Sequence, residues 1–120
     1  MNYPSEIEKT VLTLAECSRQ SAELRERLAA TEAIIIQDIT VAKTSEGKPQ
    51  FSNESVRAAE LTLRLRSDEE ATNLRQQIEQ GEAQKQRHLA RLERLRGEFK
   101  LYLVERQAEI ATATSMSLVT

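Results

Sequence analysis

The sequence predicts an all-α protein, a long antiparallel helical hairpin whose two helices pack as a coiled coil. Aromatic residues make up only 3% of the 120 residues, whereas charged residues reach 30%. Few aromatics beside many Ala, Leu, Glu, Arg and Gln residues are typical of helical bundles. Glycine and proline come together at only one place, Gly47 and Pro49, which predicts a single sharp turn. We therefore expect one domain, residues 1–120.

The first helix is predicted over residues 5–43. Ser5 and Glu8 have the spacing of a capping box, in which each side chain satisfies a backbone amide of the first turn. The three isoleucines at 34–36 cover more than one face, so we expect this end of the helix to be buried from several directions. The seam alternates steps of three and four residues and contains Ile7, Thr10, Leu14, Cys17, Ser21, Leu24, Leu28, Thr31, Ile35, Asp38 and Ala42.

The turn is predicted over residues 44–52, and the second helix over residues 53–113. Either Ser52 or Asn53 can cap this helix, and residues 114–120 lose charge and periodicity, which indicates a frayed tail. The polar stretch around Gly81 leaves one alternative open, in which the second helix breaks there and the chain folds as a three-helix bundle. Such a break normally carries a proline or a cluster of turn residues. Neither is present, so we favour one unbroken helix.

The two predicted helices are unequal in length, and this predicts self-association. At 1.5 Å per residue, the first helix covers the second only as far as about Leu89–Leu92. The remainder is apolar, and an apolar helix face without a partner in its own chain tends to pair with another molecule. We expect a homo-oligomer, most simply a dimer of four-helix type. The candidate interface residues are Leu92, Leu95, Phe99, Tyr102, Leu103 and Ile110.

Basic residues between positions 85 and 100 suggest a second function. Arg87, Arg91 and Arg94 fall on one helical face, and such a stripe can track a nucleic-acid backbone. The alternative interpretation is a solvated flank that pairs with acidic residues of a neighbouring helix. We favour the flank, because a net charge of −2 predicts no general affinity for nucleic acid.

No residue pattern predicts an enzyme, a metal site or a cofactor. His88 is the only histidine and falls on the seam of the second helix, where a structural role is commonest. Cys17 is the only cysteine, which excludes an internal disulfide and favours a reduced, cytoplasmic location. The longest apolar clusters are four residues, Ala33–Ile36 and Leu101–Val104, far short of the ~20 that a membrane span needs. The first ten residues do not have the pattern of a signal peptide, so we expect a soluble protein.

One stretch resembles a known group of proteins. The residues Asn53-Glu54-Ser55-Val56-Arg57-Ala58-Ala59-Glu60-Leu61 resemble an N-E-x-x-R-x-A-x-L stretch in small helical proteins of bacteriophage, prophage and cyanobacterial genomes. Those proteins often continue with an acidic start to a long helix, to which Ser67-Asp68-Glu69-Glu70 is similar, and end in a run similar to Leu92–Lys100. The resemblance covers residues 46–103. It implies a helical fold but no activity, and ties the chain to phage replication or recombination only by association.

Overall fold

The computed structural model describes residues 1–119, and it describes side chains as far as Ser117. The fold is all-α, as predicted, and consists of α1 (Tyr3–Val41), α2 (Glu54–Ser67) and α3 (Glu69–Val119). The described residues contain no β-strand, only an isolated bridge between Lys43 and Pro49. Across this described range, no helix combines the length and apolarity that crossing a bilayer requires.

The N-terminus of α1 lies two residues before the predicted start, because Asn2 rather than Ser5 provides the cap. The Ser5 amide donates to Asn2 Oδ1 at 3.1 Å, and the Glu6 amide donates to the Asn2 carbonyl at 3.0 Å. Ser5 is thus already inside the first turn. Pro4 fits there because a first-turn residue needs no amide proton.

The predicted turn is present between α1 and α2. The Thr44 amide donates to the Lys48 carbonyl at 2.7 Å, and the Gly47 amide donates to the Thr44 carbonyl at 2.9 Å. Gly47 has φ +81°, a left-handed conformation that glycine adopts without the penalty of a side chain. Asn53 then caps α2, since its Oδ1 accepts from the Val56 amide at 2.9 Å.

The predicted second helix is divided at Asp68, not at Gly81. Asp68 has an extended backbone, φ −75° and ψ 122°. Its amide closes the last turn of α2 on the Arg64 carbonyl, while its Oδ2 accepts from the Ala71 amide of α3 at 2.8 Å. One residue therefore ends one helix and caps the next. Gly81 lies inside the continuous helix α3. Of the frayed tail predicted over residues 114–120, residues 114–119 belong to the same helix, and residue 120 lies outside the described residues.

Arg75 stabilises the same corner from the other side. Its Nη2 donates to the Leu65 carbonyl at 2.7 Å. In an uninterrupted helix that carbonyl would accept from the amide four residues later, but the bend at Asp68 removes this partner. The guanidinium thus satisfies a carbonyl that the end of α2 exposes.

The chain forms two compact units. The first, which we call the turn unit, is Cys17–Ala83, and its buried apolar side chains are Ile39, Ala71, Leu74 and Ile78. The expectation of burial around residues 34–36 is wrong, because Ile34 and Ile36 are 64% and 44% exposed. The groove between α1 and α2 there is open to solvent, so only Ile39 on this face is fully covered.

A polar cluster lies within the helix packing of the turn unit. Ser21 is buried, and its hydroxyl donates to Glu82 Oε1 at 3.2 Å. Arg25 donates to both, to the Ser21 hydroxyl at 3.4 Å and to Glu82 at 3.5 Å. This cluster fixes which residues of α1 and α3 face each other in this unit.

The second unit, which we call the terminal unit, is Met1–Glu16 with Gln84–Thr120. Its apolar core is Leu92 and Leu95. Tyr3 packs on Phe99, while Thr10 and Thr13 lie near His88. Within this unit, α1 and α3 therefore run in opposite directions.

Candidate self-association surface

Two of the six predicted interface residues are covered by the chain itself. Leu92 is 8% exposed and Leu95 is 1% exposed, so neither is available to a second molecule in this fold. The expectation that both lie at an interface is therefore wrong. They form the core of the terminal unit together with α1.

The bend at Asp68 explains why α1 reaches further along α3 than the helix lengths predict. In the turn unit, Thr40 lies beside Glu54, and Ser21 bonds Glu82. More residues separate Glu54 from Glu82 than separate Ser21 from Thr40 on α1. The difference arises because α2 and the corner at Asp68 do not run alongside α1 in a straight line. Later residues of α3 consequently face the start of α1.

The start of α1 contacts two further predicted interface residues. The Tyr3 ring stacks on Phe99 with centroids 5.7 Å apart, and it lies 6.0 Å from the ring of Tyr102. Aromatic pairs at these separations contribute about 1 kcal/mol beyond the area they bury. Phe99 is half-buried as a result, whereas Tyr102 remains 50% exposed. Tyr102 is the last residue of α3 with a ring contact to α1 in the described chain.

Beyond these contacts, α3 continues as a helix with exposed side chains. Every residue from 100 to 117 is exposed, and we call this range the exposed segment. Of the predicted interface residues, it contains Tyr102, Leu103 and Ile110. Its large hydrophobic and aromatic side chains are exposed by 44–66%, and they are Leu101, Tyr102, Leu103, Val104, Ile110 and Met116.

The predicted basic stripe is partly neutralised. Arg91 donates to Glu6 of α1 at 3.2 Å, and Arg94 lies 3.8 Å from Glu98 one turn along α3. In the described part of the chain, Arg87 makes no ion pair and its side chain is exposed. The predicted pairing with a neighbouring helix is therefore present at Arg91 alone, because the ion pair of Arg94 lies within α3.

The stretch that resembles phage proteins builds the corner between the turn and α2. Arg57 Nη1 donates to the Phe51 carbonyl at 3.2 Å. Arg64 lies over the Phe51 ring at 5.5 Å and bonds Glu60 at 2.8 Å. The arginine of the motif thus anchors the loop end to α2. An open groove of about 330 Å³ lies beside it, between α1 and α2 of the turn unit.

His88 and Cys17, the single histidine and the single cysteine of the sequence, are both half-buried. His88 lines a shallow, open groove of about 270 Å³ with Glu6 and Arg91, yet within the described residues it has no hydrogen bond to a carboxylate. Cys17 is a free, partly exposed thiol. Among the described residues, no group of three His, Cys, Asp or Glu side chains could hold a metal ion.

The chain matches no protein-family model, no curated protein and no solved structure. The resemblance of residues 46–103 to small helical proteins of phages and prophages therefore stays a prediction.

Proposed function

We propose that this protein is a structural module that self-associates through coiled-coil packing. In this proposal the chain is a helical hairpin, and two copies join through their exposed segments into a four-helix-type homodimer. No catalytic step is part of the proposal. The function is to hold two hairpins, and whatever each hairpin contacts, in a fixed relation.

The exposed segment is the observation that supports this proposal. Isolated helices shorter than ~12–15 residues are marginal in water, and most helical stability in proteins comes from tertiary packing of an apolar face. Leu101 and Val104 are 59% and 54% exposed on a helix that continues to Val119. Burying such side chains against a second copy would stabilise this part of α3, at about 25 cal/mol per Å² of apolar area.

The test compares two charge substitutions at equally exposed leucines. Leu101→Glu places a charge in the exposed segment, and Leu63→Glu, the matched control, places one on α2, where Leu63 is 60% exposed. We expect sedimentation equilibrium at micromolar concentration to show dimers for the wild type and Leu63→Glu, and monomers for Leu101→Glu. Loss of the dimer in Leu63→Glu alone would place the interface on α2 and contradict the proposal.

Nucleic-acid binding is the second candidate function. The exposed, unpaired Arg87 favours it, whereas the ion pairs of Arg91 and Arg94 weaken it. The resemblance to phage proteins would make replication or recombination the process. Binding of a labelled oligonucleotide should fall steeply with salt and be lost when all three arginines become Glu. No binding at low salt would remove this candidate.

A further inference from the structure

The face of α3 that packs on α1 has no large apolar side chain after Tyr102, the residue that contacts the first residue of α1, Tyr3. Alternating steps of three and four residues define this face as Leu92, Leu95, Phe99, Tyr102, Arg106, Glu109 and Ala113. The first four side chains are apolar or aromatic, the next two are charged, and the last is only a methyl group. Arg106 and Glu109 form an ion pair at 3.2 Å. This face therefore offers a second helix little apolar area beyond Tyr102.

A different face of the exposed segment keeps the pattern of a coiled coil. It alternates the same steps and contains Leu101, Val104, Ala108, Ala111 and Ser115, all of which are exposed. We call these five residues the outer seam. At about 100° per residue, the outer seam lies on the side of α3 opposite the face that packs on α1. A second helix can thus approach it without displacing α1 of the terminal unit.

The charges beside the outer seam favour a parallel, in-register partner. In such a pair, the residue just before an a position, the g position, lies opposite an e position of the partner helix. That e position is five residues later in the sequence. With Leu101 at an a position, Lys100 faces Glu105 of the partner copy, and symmetry gives this pair twice. One heptad earlier, the same positions are Glu93 and Glu98, which would repel each other. Pairing should therefore begin near Lys100, where the exposed segment begins.

An antiparallel partner meets unfavourable charges. If Leu101 packs on Val104 of the second copy, Glu105 faces Glu98 of that copy. If Leu101 packs on Ala111 of the second copy, the two copies of Glu105 face each other. Like charges directly opposite each other destabilise a pair of helices. In an antiparallel coiled coil an a position packs against a d position of the partner, and both registers that bring Leu101 to a described d position of the outer seam, Val104 or Ala111, are thus penalised.

We propose that two copies of this chain pair through their outer seams, parallel and in register, with two Lys100–Glu105 ion pairs at the border. The inference rests on the self-association proposed above and specifies its orientation and its face. The small side chains of Ala108 and Ala111 let the two helices approach closely. In each copy, the start of α1 in the terminal unit lies on the side of α3 that faces away from the partner.

Cysteine crosslinking in the full chain tests the orientation. In a Cys17→Ser background, Ala111→Cys places a thiol on the outer seam, and Ala113→Cys, the matched control, makes the same change on the opposite face. A parallel, in-register pair brings equivalent residues of the outer seam within the ~4.4–6.8 Å between Cα atoms that a disulfide needs. We expect Ala111→Cys to form a covalent dimer under mild oxidation at least about tenfold faster than Ala113→Cys. Equal rates would overturn the inference.

Sedimentation of the reduced Cys17→Ser protein separates the two proposals. If this protein is a dimer but Ala111→Cys does not crosslink preferentially, self-association stands and the orientation is wrong. If it is a monomer, both the proposed self-association and the proposed orientation are contradicted.

A charge exchange gives an independent test of the orientation. Lys100→Glu and Glu105→Lys should each weaken the dimer roughly tenfold, because each replaces two attractive pairs with two repulsive ones. The double substitution restores opposite charges and should recover most of the affinity. A double variant as weak as the single variants would contradict the parallel register.

Discussion

Replacement of Asp68 by alanine should destabilise the chain by loosening the corner between α2 and α3. The carboxylate accepts from the Ala71 amide at 2.8 Å, and Ala71 is completely buried. Loss of a capping acceptor costs about 1 kcal/mol, and up to ~2 kcal/mol where the amide cannot reach water. Alanine also favours a helix over aspartate by about 0.6 kcal/mol, which would let α2 continue straight into α3. A straight helix would, however, move Arg75 from the Leu65 carbonyl and expose Leu74.

We therefore expect a net loss of about 1 kcal/mol, which lowers Tm by about 4 °C for a chain of this size. Circular dichroism during heating and in urea measures it, at one protein concentration because association makes Tm concentration-dependent. Asp68→Asn is the control, since asparagine caps as well as aspartate, and it should stay within a few tenths of a kcal/mol of the wild type. An Asp68→Ala protein with higher helicity and higher stability would refute the reasoning, and so would equal losses in the two variants.

Three further substitutions test the packing and the turn. Leu95→Ala should cost about 2–5 kcal/mol in urea unfolding, because it leaves a cavity in the core of the terminal unit; a loss below ~1 kcal/mol would show that Leu95 is not buried there. Gly47→Ala should lower the free energy of unfolding by about 1–2 kcal/mol in the same assay, because a φ of +81° strains any residue with a side chain. A steric clash is not the cause, since nothing lies within 4 Å of the new methyl group. Arg57→Met should speed hydrogen exchange in the turn while the amides around Leu74 stay protected, because it removes the bond to the Phe51 carbonyl; uniform loss of protection would assign Arg57 a global role.

Local signals made most of the helix boundaries predictable. Gly47 and Pro49 marked the turn because glycine and proline act on their own backbone, and Asn53 capped α2 as its side chain allows. The start of α1 was misplaced because Asn2 competes with Ser5 for the same role. The corner at Asp68 carried a signal as well, an acidic capping residue ahead of two glutamates. Neither glycine nor proline accompanies it, so the prediction carries one helix through this corner, although Ser67-Asp68-Glu69-Glu70 resembles the acidic start of a long helix.

The partition of α3 between core and exposed segment could not be predicted from the sequence. Whether Leu92 and Leu95 face α1 depends on how far α1 reaches, and this depends on the path of α2 and the bend at Asp68. The pairing of residues between α1 and α3 depends on the path of all the chain between them. A single corner therefore shifts the residues of α3 that face the start of α1 by about two turns of helix. The apolar character of the exposed segment, in contrast, is local, and Leu103 and Ile110 are exposed as predicted.

The mass of the unmodified chain in solution tests the central proposal most directly. Sedimentation equilibrium over a concentration series at physiological salt gives this mass without a label or a substitution. The proposed self-association predicts a species of twice the 13.6 kDa chain mass at micromolar concentration, dissociating on dilution. A single species at 13.6 kDa throughout the series would contradict it.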